Sequence, residues 1–143
     1  MKHLRIEPYT KDAEQRVIEL WIACNLTRSW NDPIRDIQRK LDDSPDLFYL
    51  AWIKDLLVGT CMAGYDGHRG WIYYLAVKPE FQKKQLAKQL VNHAEKALLK
   101  LGCPKINLMI RKTNLPVIGF YNAIGYNDDP VVVLSKRLKT DSK

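Results

Sequence analysis

Apolar and polar residues alternate over Leu4-Arg5-Ile6-Glu7-Pro8, which predicts a first strand stopped by proline. Val17, Leu20, Trp21 and Cys24 then recur at helical spacing, predicting a helix with Thr10 or Asp12 as its cap. In Asn31-Asp32-Pro33 a capping residue precedes a proline suited to a first turn, so a second helix starts there. Ile34, Ile37 and Leu41 form its apolar face, and it ends before Ser44-Pro45. Leu47 to Ile53 and Leu56 to Gly64 read as two strands joined by a tight turn at Lys54-Asp55. Asp66-Gly67 marks the turn into the next strand, Trp71 to Val77.

Leu86, Leu90, Val91, Ala94, Ala97, Leu98 and Leu101 share one face of a third helix, which Gly102 stops. Pro104 to Ile110 follows as a strand. Because it lies across a helical crossover from Trp71–Val77, the two are expected to pair in parallel. Asn114-Leu115-Pro116 opens a last helix running through Ile124, Gly125 ends it, and Val131 to Leu134 reads as a final strand. The order is β-α-α-β-β-β-α-β-α-β, with room for one more short strand at Tyr126. The fold class is α/β, a mixed sheet with helices. No repeats, linkers or low-complexity stretches divide the chain, so residues 1–143 are expected to form a single domain.

Composition narrows the picture. Hydrophobic residues at 46% and charged residues at 27% fit a globular protein with a real core. Cys24, Cys61 and Cys103 are widely spaced and odd in number, which argues against a disulfide framework or a zinc site and favours small buried thiols. No apolar run reaches the roughly 18 residues of a membrane span, and the N-terminus lacks an apolar signal core, so a cytoplasmic protein without a membrane partner is expected. The net charge of +7 favours an anionic partner. No zinc-finger spacing, RNA-recognition aromatics or recognition-helix pattern accompanies it, so nucleic acid is disfavoured. Part of the excess sits in Lys136 to Lys143, expected to be a solvated, frayed end.

The chemistry concentrates in Leu75 to Leu90: an apolar strand, then Pro79-Glu80, a short basic turn, and a helix. A helix start leaves its first N–H groups unpaired and carries partial positive charge, so it attracts phosphate. Lys83, Lys84 and Lys88 add full charges at that point. Such an arrangement suits the pyrophosphate of a cofactor.

The Val77-x-Pro79-Glu80 to Ala87 segment and the later Asn114…Phe120-Tyr121-x-x-x-Gly125-Tyr126 resemble the GNAT superfamily of acetyl-CoA-dependent N-acetyltransferases over nearly the whole chain. Trp30-Asn31-Asp32-Pro33 and Gly64-Tyr65-Asp66-Gly67-His68-Arg69-Gly70 are further similar to the YpeA-type bacterial acetyltransferases. The resemblance implies a mostly antiparallel sheet with one splayed parallel pair, acetyl-CoA or CoA as co-substrate, and no metal. It also implies a small-molecule or peptide amine as acceptor, and a possible homodimer. Its phosphate loop, Gln/Arg-x-x-Gly-x-Gly/Ala, falls on Gln82, Lys83, Lys84, Gln85, Leu86 and Ala87, with Lys88 beyond. Gln85 stands where the family has glycine, which costs energy if the backbone there needs a positive φ. Leu75, Ala76 and Val77 are implied to offer main-chain groups to the pantetheine arm while also serving as buried strand. Asn107 either lines the cleft or faces solvent, and Asn114 reaches the cofactor, caps the helix, or does both.

Tyr121 is implied to be the acid that protonates the departing thiolate, against the alternative of a plain core tyrosine. Asp32, Asp66, His68 and Glu80 are candidate bases. Turn, cap and surface roles account for them better than a base role does, and a water chain can replace a side-chain base, so no base is named. Trp21, Trp30, Tyr65 and Trp71 are available to line an acceptor pocket, though scattered aromatics are more often core. The main rival function is a weakly catalytic CoA sensor or protein-interaction module of the same fold. A basic nucleic-acid-binding domain is the third reading.

Overall fold

The computed structural model describes residues 3–83 and 85–141. Its elements are β1 (Leu4–Pro8), α1 (Glu14–Ala23), α2 (Pro33–Asp43), β2 (Phe48–Ile53), β3 (Leu56–Tyr65), β4 (Gly70–Val77), α3 (Leu86–Lys100), β5 (Ile106–Asn107) and α4 (Leu115–Ala123). Short 3-10 turns occupy Lys11–Ala13, Pro45–Leu47 and Pro79–Phe81. The five strands form one sheet in sequence order, antiparallel from β1 to β4, with β5 parallel to β4. The predicted α/β class and the parallel pair are both present.

Both faces of the sheet are covered, which accounts for the continuous apolar runs in its central strands. Tyr49 and Ala51 of β2 join a core with Val58, Leu86, Leu90 and Leu98 beneath α3. Phe48, Leu50 and Trp52, the alternate residues, join Val17, Trp21 and Ile37 beneath α1 and α2. Burying each large aliphatic side chain is worth about 1.5–3 kcal/mol. Gly59 lets α3 come close: a Cβ there would lie 2.8 Å from Leu90 Cδ1 and 3.0 Å from Ala76 O.

Several local signals act as the sequence predicts. Asp32 Oδ1 accepts from Ile34 N at 3.0 Å and caps α2, with Pro33 in the first turn. Asp66 Oδ1 accepts from His68 N and Arg69 N, and Gly67 takes φ +92°. Gly102 ends α3 at φ +91°. Other expectations change. Thr10 makes no side-chain cap; its hydroxyl bonds Asp12 instead. On α2 only Ile37 is buried, and Ile34 is exposed.

The C-terminal third departs most. The strand expected from Pro104 to Ile110 shortens to Ile106–Asn107, whose partners in β4 are Gly70 and Trp71 alone. No strand is assigned to Val131–Leu134 or Tyr126, and Val131 to Leu134 stay exposed. Valine favours strands only where a neighbouring edge supplies hydrogen bonds and a surface to pack on. Two residues of β5 offer neither. The tail is not frayed throughout. Asp141 is buried, accepting from Arg39 Nη1 at 3.3 Å, from Arg39 Nη2, and from Asp32 N at 2.8 Å. Its own amide donates to Trp30 O, so it ties the tail to the loop before α2. Arg39 and the Asp32 amide hold the Asp141 carboxyl down at about 2.

Candidate active site

β4 carries an extra residue. Its register with β3 runs Met62 against Tyr73 and then Thr60 against Ala76, so Tyr74 and Leu75 together face Cys61. This is a β-bulge, and Ile72 and Leu75, three apart, accordingly both pack toward α3. Tyr74 adopts φ +50°, a left-handed conformation that such bulges usually give to glycine. A non-glycine residue pays about 1–3 kcal/mol there, so surrounding contacts must hold it. Tyr74 has three. Its carbonyl accepts from Thr60 Oγ1 at 2.8 Å, its ring stacks on Trp21 with centroids 3.8 Å apart, and its hydroxyl donates to Asp36 Oδ2 at 2.6 Å. Burial first, then Asp36, raise its pKa well above the ordinary tyrosine value.

Past the bulge, Lys78 N donates to Val58 O at 2.8 Å. The peptide bond is planar and trans, so Val77 O points away from β3. There it accepts from Gln82 Nε2 at 3.0 Å and Cys24 Sγ at 3.3 Å. The ladder between β4 and β5 has already ended, so among the described residues no strand pairs with the Ile72–Val77 edge on that side. Ala76 and Val77 are buried and Leu75 is half-buried, so in this segment only main-chain groups face that edge.

The turn after β4 leads into the start of α3. Lys83 and Gln85 both lie in the left-handed region, at φ +65° and +66°. Glycine's absence at Gln85 therefore has the predicted conformational cost. Gln85 is the N-cap residue, makes no side-chain cap, and no acid occupies the first turn of α3. α2 differs, since the Asp32 side chain accepts from the Ile34 amide in its first turn. Leu86 is buried and Ala87 half-buried, so each offers a ligand chiefly its amide; Gln82, Lys83 and Lys88 are exposed. Lys84 lies outside the described residues. An uncapped helix start beside cationic side chains can hold an anion.

Tyr121 is buried on α4 in the same core cluster as Val77 and Leu86. Its ring meets Phe120 and Tyr126 edge-on at 4.9 and 5.3 Å. Burial raises its pKa well above the ordinary tyrosine value, so it stays protonated and able to donate. Tyr121 and Asn107 line a cleft of about 1290 Å³ between the C-terminal half of α3, β5 and α4. The residues of β4 and of the loop before α3 do not line it. Asn114 is exposed and makes no side-chain cap on α4, so its cap role is absent.

The candidate bases separate. Asp66 accepts two backbone amides and Trp71 Nε1, and the Arg69 and His68 amides hold it down at about 2, too low for a base at neutral pH. Asp32 is engaged as a cap, and Glu80 and His68 are exposed. Trp21 is core. Among the described residues no group of three or more His, Cys, Asp or Glu gathers to hold a metal. No helix there is long and apolar enough to cross a membrane.

The family model for the acetyltransferase (GNAT) family matches residues 14–126. The chain belongs to the GNAT family. An acetyltransferase of Pectobacterium atrosepticum is 46% identical over 138 residues, covering 96% of this chain and 98% of the relative. One of Yersinia pestis is 43% identical over 140 residues, covering 98% and 99%. AAC(6')-Iy, solved with the bisubstrate analogue CoA-S-monomethyl-acetylneamine, superposes with TM-score 0.76 at 19% identity, over 95% and 99% of the two chains. The NatC complex bound to Gag peptide and CoA superposes with TM-score 0.74 at 22% identity, over 86% and 84%. This GNAT chain is thus an N-acetyltransferase. Nothing in the sequence marks the Thr60–Tyr74–Asp36 network of this GNAT fold, because a positive φ at tyrosine leaves no trace in composition or spacing.

Proposed function

We propose that the chain, acting as one domain over residues 1–143, moves an acetyl group from acetyl-CoA to a primary amine by direct attack on the thioester. The uncapped start of α3, reached through two left-handed residues and flanked by Lys83 and Lys88, carries this reading. Main-chain N–H groups at the start of α3, from Gln85 to Lys88, hold the pyrophosphate, with Gln82 beside them, and the lysines of the segment add charge-assisted contacts. The open edge of Leu75, Ala76 and Val77 takes the pantetheine arm, with Asn107 and Asn114 as side-chain contacts. The GNAT relatives solved with CoA or a CoA analogue support the same donor.

The acceptor attacks as the neutral amine, with its lone pair toward the thioester carbon. A β4 amide stabilises the charge developing on the carbonyl oxygen. As the C–S bond breaks, Tyr121 gives its proton to sulfur, and the proton lost by the amine leaves to water. No protein base is assigned. The acceptor is a small-molecule or peptide amine, and the protein works in the cytoplasm.

Calorimetric titration with acetyl-CoA, CoA and an oligonucleotide tests the donor, and thiol release with a panel of amines and peptides tests transfer. Heat with both CoA species, no heat with the oligonucleotide, and amine-dependent thiol release are expected. Absence of heat with acetyl-CoA removes the proposal. Heat without thiol release from any amine leaves only a CoA sensor.

A further inference from the structure

Thr60 is a fully buried polar residue in the middle of β3, beneath α1. A hydroxyl there costs free energy unless it is bonded. Its Oγ1 is bonded twice, accepting from Trp21 Nε1 at 2.9 Å and donating to Tyr74 O at 2.8 Å. One side chain thus links α1 to the carbonyl of the bulge residue. We infer that Thr60 is a positioning residue for acyl transfer, clamping the Tyr74–Leu75 peptide so that the Leu75 amide faces the thioester; this rests on the function proposed above.

The geometry follows from the planar peptide. Thr60 draws the Tyr74 carbonyl to itself, so the Leu75 N–H at the other end of that peptide points away. Trp21 fixes the Thr60 hydroxyl by donating to it and fixes the Tyr74 ring by stacking on it. Without the clamp, the strained Tyr74 conformation at φ +50° loses the contact that holds its carbonyl and can relax. The amide then swings from the place where charge develops, and rate falls more than donor affinity. Thr60 touches no substrate. It acts through Tyr74.

Thr60→Val and Thr60→Ser are compared with the wild-type chain by two readouts. The first, which needs no ligand, is NMR amide exchange at Ala76, the residue paired with Thr60 across the ladder. The second is the split of kcat and KM for acetyl-CoA with an amine that the wild type accepts. Thr60→Val is expected to speed Ala76 exchange and lower kcat, each roughly tenfold, with KM within about twofold. Thr60→Ser, which keeps the hydroxyl, is expected to restore both. Should Thr60→Val not fold, Trp21→Phe, which removes the indole donor and keeps an aromatic ring, is expected to move both readouts the same way by less. Unchanged exchange overturns the clamp. Faster exchange with unchanged kcat, or a serine variant no better than valine, overturns the positioning role. A wild type that neither binds acetyl-CoA nor releases thiol instead overturns the proposed function.

Discussion

Gln82 Nε2 donates to Val77 O at 3.0 Å, tying the loop before α3 to the last residue of β4. The bond joins the two stretches that the proposed donor would touch, one at its pyrophosphate and one at its pantetheine arm. Gln82→Ala removes about 1 kcal/mol of loop ordering, so acetyl-CoA affinity is expected to drop about fivefold by calorimetry. Thermal stability should barely change, because Gln82 is exposed.

Gln85 sits at φ +66°, where glycine has no Cβ penalty. Gln85→Gly is expected to relieve about 1 kcal/mol of strain and tighten CoA binding several-fold. Gln85→Ala keeps a Cβ and should give no gain. Equal affinities for the glycine and alanine variants would show that strain at this residue does not reach the ligand.

Burial keeps Tyr121 protonated well past the ordinary tyrosine range. Tyr121→Phe is expected to lower kcat about 10²-fold or more, with acetyl-CoA affinity within about twofold. The wild-type rate should show no loss from tyrosine ionisation between pH 7 and about 10, a range read directly from a pH–rate profile. A loss of affinity as large as the loss of rate would assign Tyr121 to packing.

Gly59 admits α3 where Leu90 and Ala76 O leave no room for a methyl. Gly59→Ala is expected to destabilise by about 1–3 kcal/mol in urea unfolding, since buried backbone cannot give way cheaply. Because α3 must lift from β4, CoA affinity should fall as well.

Asp66 has a folded-state pKa of about 2, held down by the Arg69 and His68 amides. A carboxylate depressed in the folded state stabilises it above the ordinary value, and that stabilisation is lost as pH falls through the folded value. Urea unfolding from pH 5 to about 2 should therefore show a decline that is shallower in Asp66→Asn. Near pH 7 the asparagine variant should be the less stable: its amide oxygen still accepts from the His68 and Arg69 amides, but the negative charge is gone and an NH2 group replaces the oxygen that accepts from Trp71 Nε1.

Gly102, the Asp32 cap and the Asp66–Gly67 turn were legible because each is a local bargain between one side chain and its neighbours in sequence. The helical face of Leu86, Leu90, Val91, Ala94 and Leu98 was legible for the same reason, as periodicity needs no partner to be seen. The final strand expected at Val131–Leu134 does not form, because strand formation depends on an edge that β5 does not extend to it. The anchoring of Asp141 is invisible along the sequence because its partners, Arg39 and Asp32, are about a hundred residues away.

By itself, then, the chain's amino-acid order determined the element sequence to α4, the parallel crossover and the basic helix start, all products of short-range pattern and charge. Tertiary structure alone decided where the sheet bulges, that a tyrosine there turns left-handed, and which buried hydroxyl holds it. Those depend on side chains brought together from α1, α2, β3 and β4, and such closeness in space has no signature along a sequence.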